Sequence, residues 1–364
     1  MRPRLKRSLV KIETPDGDVI LMQNAGDDVR VGRPDSSERE LLDALDGTHS
    51  REEMRRRFGD QIVDETLVTL GKMGLLEDAA EEDGLGTEVR ERYDRQLRYL
   101  ADVRAADGPT PRECQERLAD SHVAVFGTGG LGGRVAWELA SIGIGELRLL
   151  DGDRVELSNL NRQIQYTESQ IGLLKVECLA DRLRSFNSHV KVEPVAERVE
   201  GKERLAEWIE GVDLLIDAAD WPAHVVEHWC NEACFESGVP YIAMSHFPPI
   251  ARIGPLYVPG VTGCFSCQEI GYRREYPLFD VAIEQRRGQP SPAPTLGPAC
   301  GATAGLVATE VMHHLTGVTE PMTLGRGYGL DLRTMAFETY EVTPEPECPV
   351  CSTQDGQVGV EVTA

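Results

Sequence analysis

The sequence predicts an α/β protein with a smaller α+β unit ahead of it, and three observations carry that expectation. Apolar strand-like runs alternate with helices of 3.6-residue spacing through most of the chain. One of those runs feeds directly into a glycine-rich turn and a helix. The first 80 residues follow a different order, three short strands and then three helices.

Length and charge set the outer bounds. A chain of 364 residues, 41% hydrophobic, suffices for two or three domains and at least one sizeable core. With 36 glycines and 21 prolines it is too poor in both to be fibrous or of low complexity. Lys and Arg number 38 against 61 Asp and Glu, a formal net charge of −23. That balance argues against nucleic acid as a partner, because gripping phosphates needs a basic face. No apolar core follows the basic residues at the N-terminus, and no apolar run reaches about eighteen residues, so no signal peptide and no membrane partner are expected. The expected location is cytoplasmic. Nine cysteines, four of them in the C-x-x-C pairs Cys264/Cys267 and Cys348/Cys351, read in a reducing compartment as metal ligands before disulfides.

In chain order, residues 9–12 and 19–22 flank Thr14-Pro15-Asp16-Gly17-Asp18, a hairpin signal, and a third strand over 29–31 follows an Asn24-Ala25-Gly26 turn. Ser37-Glu38-Arg39-Glu40 reads as a capping box for a helix with Leu41, Leu42 and Leu45 on its apolar face. Ser50-Arg51-Glu52-Glu53 opens a second helix that closes at Gly59, and Val63, Leu67 and Leu70 mark a third. Residues 77–86 read as an acidic linker, followed by a helix over 88–103. Strands are expected at 122–126, 146–150, 190–195, 212–216 and 241–244, with helices at 134–142 and 175–187, which argues for a parallel sheet covered on both faces. Prolines, charges and Gly288 predict a long exposed loop over 272–298. A helix at 307–315 and strands over 325–340 end the fold. The domains expected are therefore 1–80, a linker and contact helix over 81–112, and 113–364.

The strand at 122–126 runs into Gly127-Thr128-Gly129-Gly130-Leu131-Gly132-Gly133. Such a turn lets backbone approach a phosphate while the following helix offers its N–H groups. Asp151, at the end of the next strand, stands where a carboxylate accepts ribose hydroxyls. These residues suit an NAD-dependent dehydrogenase equally well. The stretch Leu157-Ser158-Asn159-Leu160-Asn161-Arg162-Gln163, with Lys175 beyond it, is different in kind. Arg and Lys near a glycine loop stabilise charge developing on phosphate oxygens, the need of nucleotidyl transfer.

These motifs, together with Arg92-Tyr93-Asp94-Arg95-Gln96, Asp217-Ala218-Ala219-Asp220 and the two C-x-x-C pairs, make the chain over about 90–351 resemble the ThiF/MoeB superfamily, bacterial relatives of ubiquitin-activating enzymes. The resemblance implies a Rossmann-like mixed-sheet adenylation domain in which a carboxylate attacks the α-phosphate of ATP, releasing pyrophosphate. By matching positions it implies that Gly127, Gly129, Gly130 and Gly132 cradle the nucleotide and that Asp151 holds the ribose. Asn159 would assist at the nucleotide, Arg162 and Lys175 would bind phosphates, and Asp220 would bind Mg²⁺. Arg95 would reach the ATP of the other subunit of a homodimer. Cys264, Cys267, Cys348 and Cys351 would bind one structural Zn²⁺. Two departures stand out. Trp221-Pro222-Ala223-His224 replaces the usual Asn-containing run, with Asn231 displaced, and no Cys falls within 268–299. Cys300 reads as a buried structural thiol, so no covalent enzyme thioester is expected.

Residues 1–80 resemble PqqD-like leader-recognition domains, on the three strands, on Leu41-Leu42-Asp43-Ala44-Leu45-Asp46-Gly47-Thr48 and on Gly74-Leu75-Leu76. A generic winged helix has a similar pattern. The resemblance implies capture of a precursor peptide by its leader in a groove between residues 29–33 and 62–73, by strand addition. The expected function is then adenylation of a carboxylate on a ribosomally made peptide (a RiPP precursor), with a further modification enzyme as a potential partner. Two alternatives stand beside it. One is a sulfur-carrier-protein adenylyltransferase. The other is a non-catalytic leader-binding partner of an azoline-forming cyclodehydratase, a branch that Leu256-Tyr257-Val258-Pro259-Gly260 resembles.

Overall fold

The computed structural model describes residues 1–23, 27–82, 84–105, 108–287 and 294–352. The expected Asn24-Ala25-Gly26 turn and Gly288 lie outside them. The chain divides into two compact units, Met1–Glu116 with Thr316–Thr319, and Arg117–Leu315 with Glu320–Ala364.

In the first unit β1 (Pro3–Leu5) pairs antiparallel with β5 (Leu76–Asp78), tying the two ends of the N-terminal segment together. Neither strand is legible from so short a run. An antiparallel sheet of order β2-β3-β4 (Val10–Glu13, Val19–Met22, Val29–Gly32) follows the expected hairpin, with Gly17 at φ +86° in its turn. Helix α1 (Ser36–Asp43) is capped by Asp35 with Glu38, so the capping box begins two residues earlier than the sequence suggests. Helices α2 (Arg51–Phe58), capped by Ser50 and Glu53, and α3 (Asp60–Lys72) place Met54, Val63, Leu67 and Leu70 against Val19 and Leu21 in one core. Helix α4 (Thr87–Val103) and the start of α5 (Pro111–Asp120) complete this unit.

The second unit is a mixed α/β fold around eight strands. The parallel strands β6 (His122–Phe126), β7 (Glu146–Leu150), β8 (Lys191–Val195) and β9 (Leu214–Asp217) are joined by β10 (Tyr241–Phe247). The antiparallel β11 (Ile250–Tyr257), β12 (Arg326–Asp331) and β13 (Ala336–Glu341) extend the sheet, giving the order β13-β12-β11-β10-β9-β6-β7-β8. Val123, Val125, Leu147, Leu149, Leu214 and Ile216 are fully buried, each contributing about 1.5–3 kcal/mol of burial energy. Helices α6 (Gly132–Ile142), α7 (Lys175–Phe186), α8 (Lys202–Trp208) and α9 (Val226–Ser237) are the crossovers. Because β6 lies between β7 and β9, the connections diverge there and leave a crevice at the carboxyl ends of the strands.

The expected loop over 272–298 needs correction. Helix α10 (Phe265–Glu275) runs into it, α11 (Phe279–Arg287) lies inside it, and α12 (Gly297–Thr316) begins before it should end. Helix α11 has no buried residue, so it lacks the apolar face by which a helix is read from sequence. Among the described residues no helix is long and apolar enough to cross a membrane.

Candidate nucleotide site

The crevice at β6 is shaped by its glycines. Gly127 sits at φ +86°, and a Cβ there would come within 2.8 Å of the Ala218 carbonyl oxygen. At Gly132 the clash would be 1.8 Å, with the Gly127 carbonyl oxygen, so the turn closes only on hydrogen at that position. Side chains then fix the loop. The Tyr166 hydroxyl donates to the Thr128 carbonyl at 2.8 Å and Gln165 Nε2 to that of Gly129 at 2.8 Å. Asp151 Oδ2 accepts from both the N–H and the hydroxyl of Thr128, at 2.8 and 2.9 Å, and its Oδ1 accepts from the Asp153 N–H at 2.8 Å. Asp151 therefore holds the turn, with lone pairs left over.

The loop opens on a cavity of about 770 Å³. Of the residues expected at the nucleotide, Gly127, Gly129, Gly130, Asp151, Asn159, Arg162, Lys175 and Asp220 all line it. Gly132 acts behind the loop, and Arg95 belongs to the first unit. Trp221 lines the cavity without filling it. Asn159 Oδ1 accepts from the Glu156 N–H at 3.0 Å, which leaves the amide hydrogens for a ligand. Arg162 donates to the Ser158 carbonyl and to Asn161 Oδ1, both at 3.0 Å.

Lys175 Nζ lies 3.1 Å from Asp153 Oδ2, and the exposed Arg198 lies 2.8 Å from Asp153 Oδ1. Burial works to raise the Asp153 carboxyl, but the two cations outweigh it and hold it below the usual carboxylate range. Arg198 is a cavity residue that sequence reasoning misses. Its one signal is its place just past the carboxyl end of β8, the end that faces the crevice. Also missed are His246 and Thr295, whose Nδ1 and Oγ1 lie 3.0 Å apart, with Thr295 Oγ1 3.5 Å from Cys300 Sγ. Cys300 is buried, and it packs where a Gly130 side chain would otherwise stand.

The four cysteines of the two C-x-x-C pairs come together, their Sγ atoms all within 4.8 Å of one another. Cys264 and Cys348 are 3.4 Å apart, Cys267 and Cys351 3.2 Å, close to the edge of about 3.8 Å expected for a tetrahedron of thiolates on zinc. Hydrogen bonding from Cys264 is the largest cause drawing the Cys267 thiol down to about 5. Asn231 is not displaced from a nucleotide role into an idle position. Its Nδ2 donates to Ser266 Oγ at 3.2 Å and approaches Cys264 Sγ at 3.6 Å, while its Oδ1 accepts from Tyr241 and from the Phe265 N–H. It orders the backbone that carries Cys264 and Cys267.

Residues 93–350 match the model of the ThiF family. The chain belongs to that family. The SAMP-activating enzyme E1 of Haloferax volcanii is 34% identical over 252 residues, 68% of this chain and 85% of that protein. The molybdopterin-synthase adenylyltransferase of Escherichia coli K12 is 32% identical over 237 residues, 65% of this chain and 89% of that one. Among solved structures, E. coli MccB with ATP superposes with a TM-score of 0.77 at 25% identity, covering 96% of this chain and all of that one. This family member is thus an adenylyltransferase of the ThiF/MoeB type, for which ATP is the adenylyl donor. The dehydrogenase reading of the glycine loop falls away.

Proposed function

We propose that this adenylyltransferase activates a carboxylate on a ribosomally made precursor peptide, captured through its leader by a PqqD-like domain at 1–80. Residues 81–112 would be the linker and dimer-contacting helix and 113–364 the adenylation domain. The observation that carries this reading is coverage. The likeness to MccB spans 96% of the chain and so extends into residues 1–92, which the family match at 93–350 leaves out. MccB, described as a microcin C7 biosynthetic enzyme, has been solved bound to MccA. Within the first unit, β4 is an edge strand of a short antiparallel sheet, a natural place for an extended peptide to add.

In the proposed reaction the triphosphate lies along the glycine loop with Asp151 at the ribose and Asn159 beside the nucleotide. Lys175, Arg162 and Arg198 supply the positive charge that the five-coordinate α-phosphorus requires as the carboxylate oxygen bonds to it and the pyrophosphate leaves with its electron pair. Asp220, one exposed carboxylate at the cavity wall, fits a Mg²⁺ ion that takes its remaining ligands from phosphates and water. That ion would neutralise the departing pyrophosphate. Arg95 is assigned to the partner subunit's nucleotide. Zn²⁺ on Cys264, Cys267, Cys348 and Cys351 is structural, pinning the C-terminal strand region to α10. Exchange of labelled pyrophosphate into ATP, stimulated by the authentic peptide and lost without its leader, tests the reading. An enzyme inert to that peptide overturns it.

Relatives at 31–34% identity include the E. coli sulfur carrier protein ThiS adenylyltransferase, which favours a carrier protein as the second reading. Exchange stimulated by a small carrier protein, and indifferent to removal of residues 1–80, decides for it.

A further inference from the structure

A second cavity, of about 780 Å³, lies against the first in the same unit. Ala219, Asp220, Trp221, Met244, Ser245 and Phe247 line both, so whatever occupies one is separated from the other only by that shared wall. The two differ in character. The nucleotide cavity collects Lys175, Arg162 and Arg198. The second is walled by aromatic rings, with Tyr241 and Tyr257 stacked at 4.7 Å, and is lined by four carboxyl side chains, Asp217, Glu227 and Glu269 within it and the exposed Asp220 on the shared wall.

Only one of those carboxyl groups is matched by cations. Glu269 meets His228 Nε2 at 3.5 Å and Arg273 at 3.4 Å. Asp217, nineteen-twentieths buried, interacts with the Ala219 N–H and the Cys230 thiol, yet its Oδ1 has no partner. Glu227 Oε2, at the first turn of α9, is likewise buried without one. Burial, and then the charge of Glu227, push the Asp217 carboxyl up to about 8, and burial raises Glu227 as well. The other charged or titratable groups on this cavity are His224, Arg252 and Arg286, and the two arginines lie over the Phe247 ring at the shared wall. Two buried carboxyl oxygens without a hydrogen-bond donor, flanked by π-faces, are complementary to one chemical class: an organic ammonium group.

We infer that the second cavity binds the amine nucleophile that consumes the acyl-adenylate, its nitrogen held between Asp217 and Glu227. This rests on the adenylation of a carboxylate proposed above. Entry of the ammonium releases to solvent the proton that Asp217 holds in the empty cavity, and the ammonium then gives one of its own protons to the Asp217 carboxylate. The nitrogen lone pair then forms the C–N bond, the C–O bond to phosphate breaks, and AMP leaves with that electron pair. The second nitrogen proton goes to the departing phosphate, and the product is an amide.

Calorimetry on the full chain tests this, with 2-phenylethylamine as the probe and the isosteric 2-phenylethanol as its uncharged control. The amine is expected to bind at least about tenfold more tightly than the alcohol, and Glu227→Gln to erase that preference while ATP still binds. Asp217→Asn is expected to act alike, which guards against one variant failing to fold. Equal binding of amine and alcohol, or no binding of the amine by a chain that binds ATP, overturns the inference. Because the assay needs neither peptide nor turnover, its failure leaves the pyrophosphate-exchange test of adenylation untouched.

Discussion

Lys175 Nζ and Asp153 Oδ2 stand 3.1 Å apart at the mouth of the nucleotide cavity, with Lys175 as the first residue of α7. A cation at a helix N-terminus opposes the helix dipole, and at 6% exposure this one is also largely desolvated. One carboxylate shared with Arg198 offsets that only in part, so the site holds positive charge in reserve for a phosphate. Lys175→Met should therefore lower pyrophosphate exchange at least about 100-fold while leaving the melting temperature unchanged or higher. Exchange rates and thermal melts, taken together, check this. A variant that loses activity only in proportion to lost folded protein would contradict it.

The glycine loop allows a sharper separation. A Cβ on Gly129 meets nothing closer than Gln163 Nε2 at 3.7 Å, whereas one on Gly132 clashes with backbone. Gly129→Ala is thus expected to fold and melt as the parent does, yet to bind ATP about tenfold or more weakly because the methyl stands where phosphate approaches. Gly132→Ala is expected to lose soluble protein. Calorimetric titration with ATP and the soluble yield of each variant distinguish the two.

One zinc per chain is expected by elemental analysis. Cys348→Ser should lose it and lower the melting temperature by several degrees, since a three-thiolate site no longer closes the tetrahedron. Asn231→Ala should keep the metal but release it faster to a chelator, because the residue orders the backbone of Cys264 and Phe265 without ligating.

Legibility in the residues alone tracks how local each signal is. The strand β6 is readable to the residue because its run after His122 is continuously apolar and buried, and β7 because Leu147 and Leu149 alternate with the half-buried Glu146 and Arg148. The Asn159–Arg162–Lys175 cluster is readable because cations beside a glycine loop have few structural uses. Arg198 is not, since it lies in an irregular segment after β8 and acquires meaning only when the sheet order brings that segment to the crevice. Asp217 and Glu227 are ten residues apart in sequence, and their pairing exists only because α9 begins beside the end of β9. Helix α11 escapes because Phe279 and Ile283, one turn apart, are its only apolar residues on a cavity, and the prolines and charges around them read as loop.

Val31 on β4 offers a clean probe of peptide capture. In the ladder with β3, Gly32 pairs with Val19 and Arg30 with Ile20, so Val31 is the extra residue of a bulge and has no partner across the sheet. Val31→Pro should then cost little stability while removing a donor from the free edge and blocking an added strand. The affinity of a fluorescently labelled precursor peptide, read by anisotropy, should fall at least about tenfold. Undiminished binding would move the leader site away from β4.

The Asp217 carboxyl makes a prediction whose sign is fixed. An ordinary aspartate loses its proton near 3.8, but burial holds this one up to about 8 in the folded chain. Between those two pH values the folded state keeps a proton that the unfolded state has released, so stability falls as pH rises, and the loss is complete above the folded value. Glu227, raised by its own burial, adds a contribution of the same sign. Asn cannot titrate. Asp217→Asn should gain on the parent as the pH rises from 5 to 9, by an amount on the order of a few kcal/mol. Chemical denaturation at pH 5, 7 and 9 measures the difference directly, and other groups cancel in it because they are common to both proteins. A variant whose relative stability did not change on going from pH 5 to pH 9 would mean that Asp217 is ionised in the resting protein. The second cavity would then already hold a bound cation.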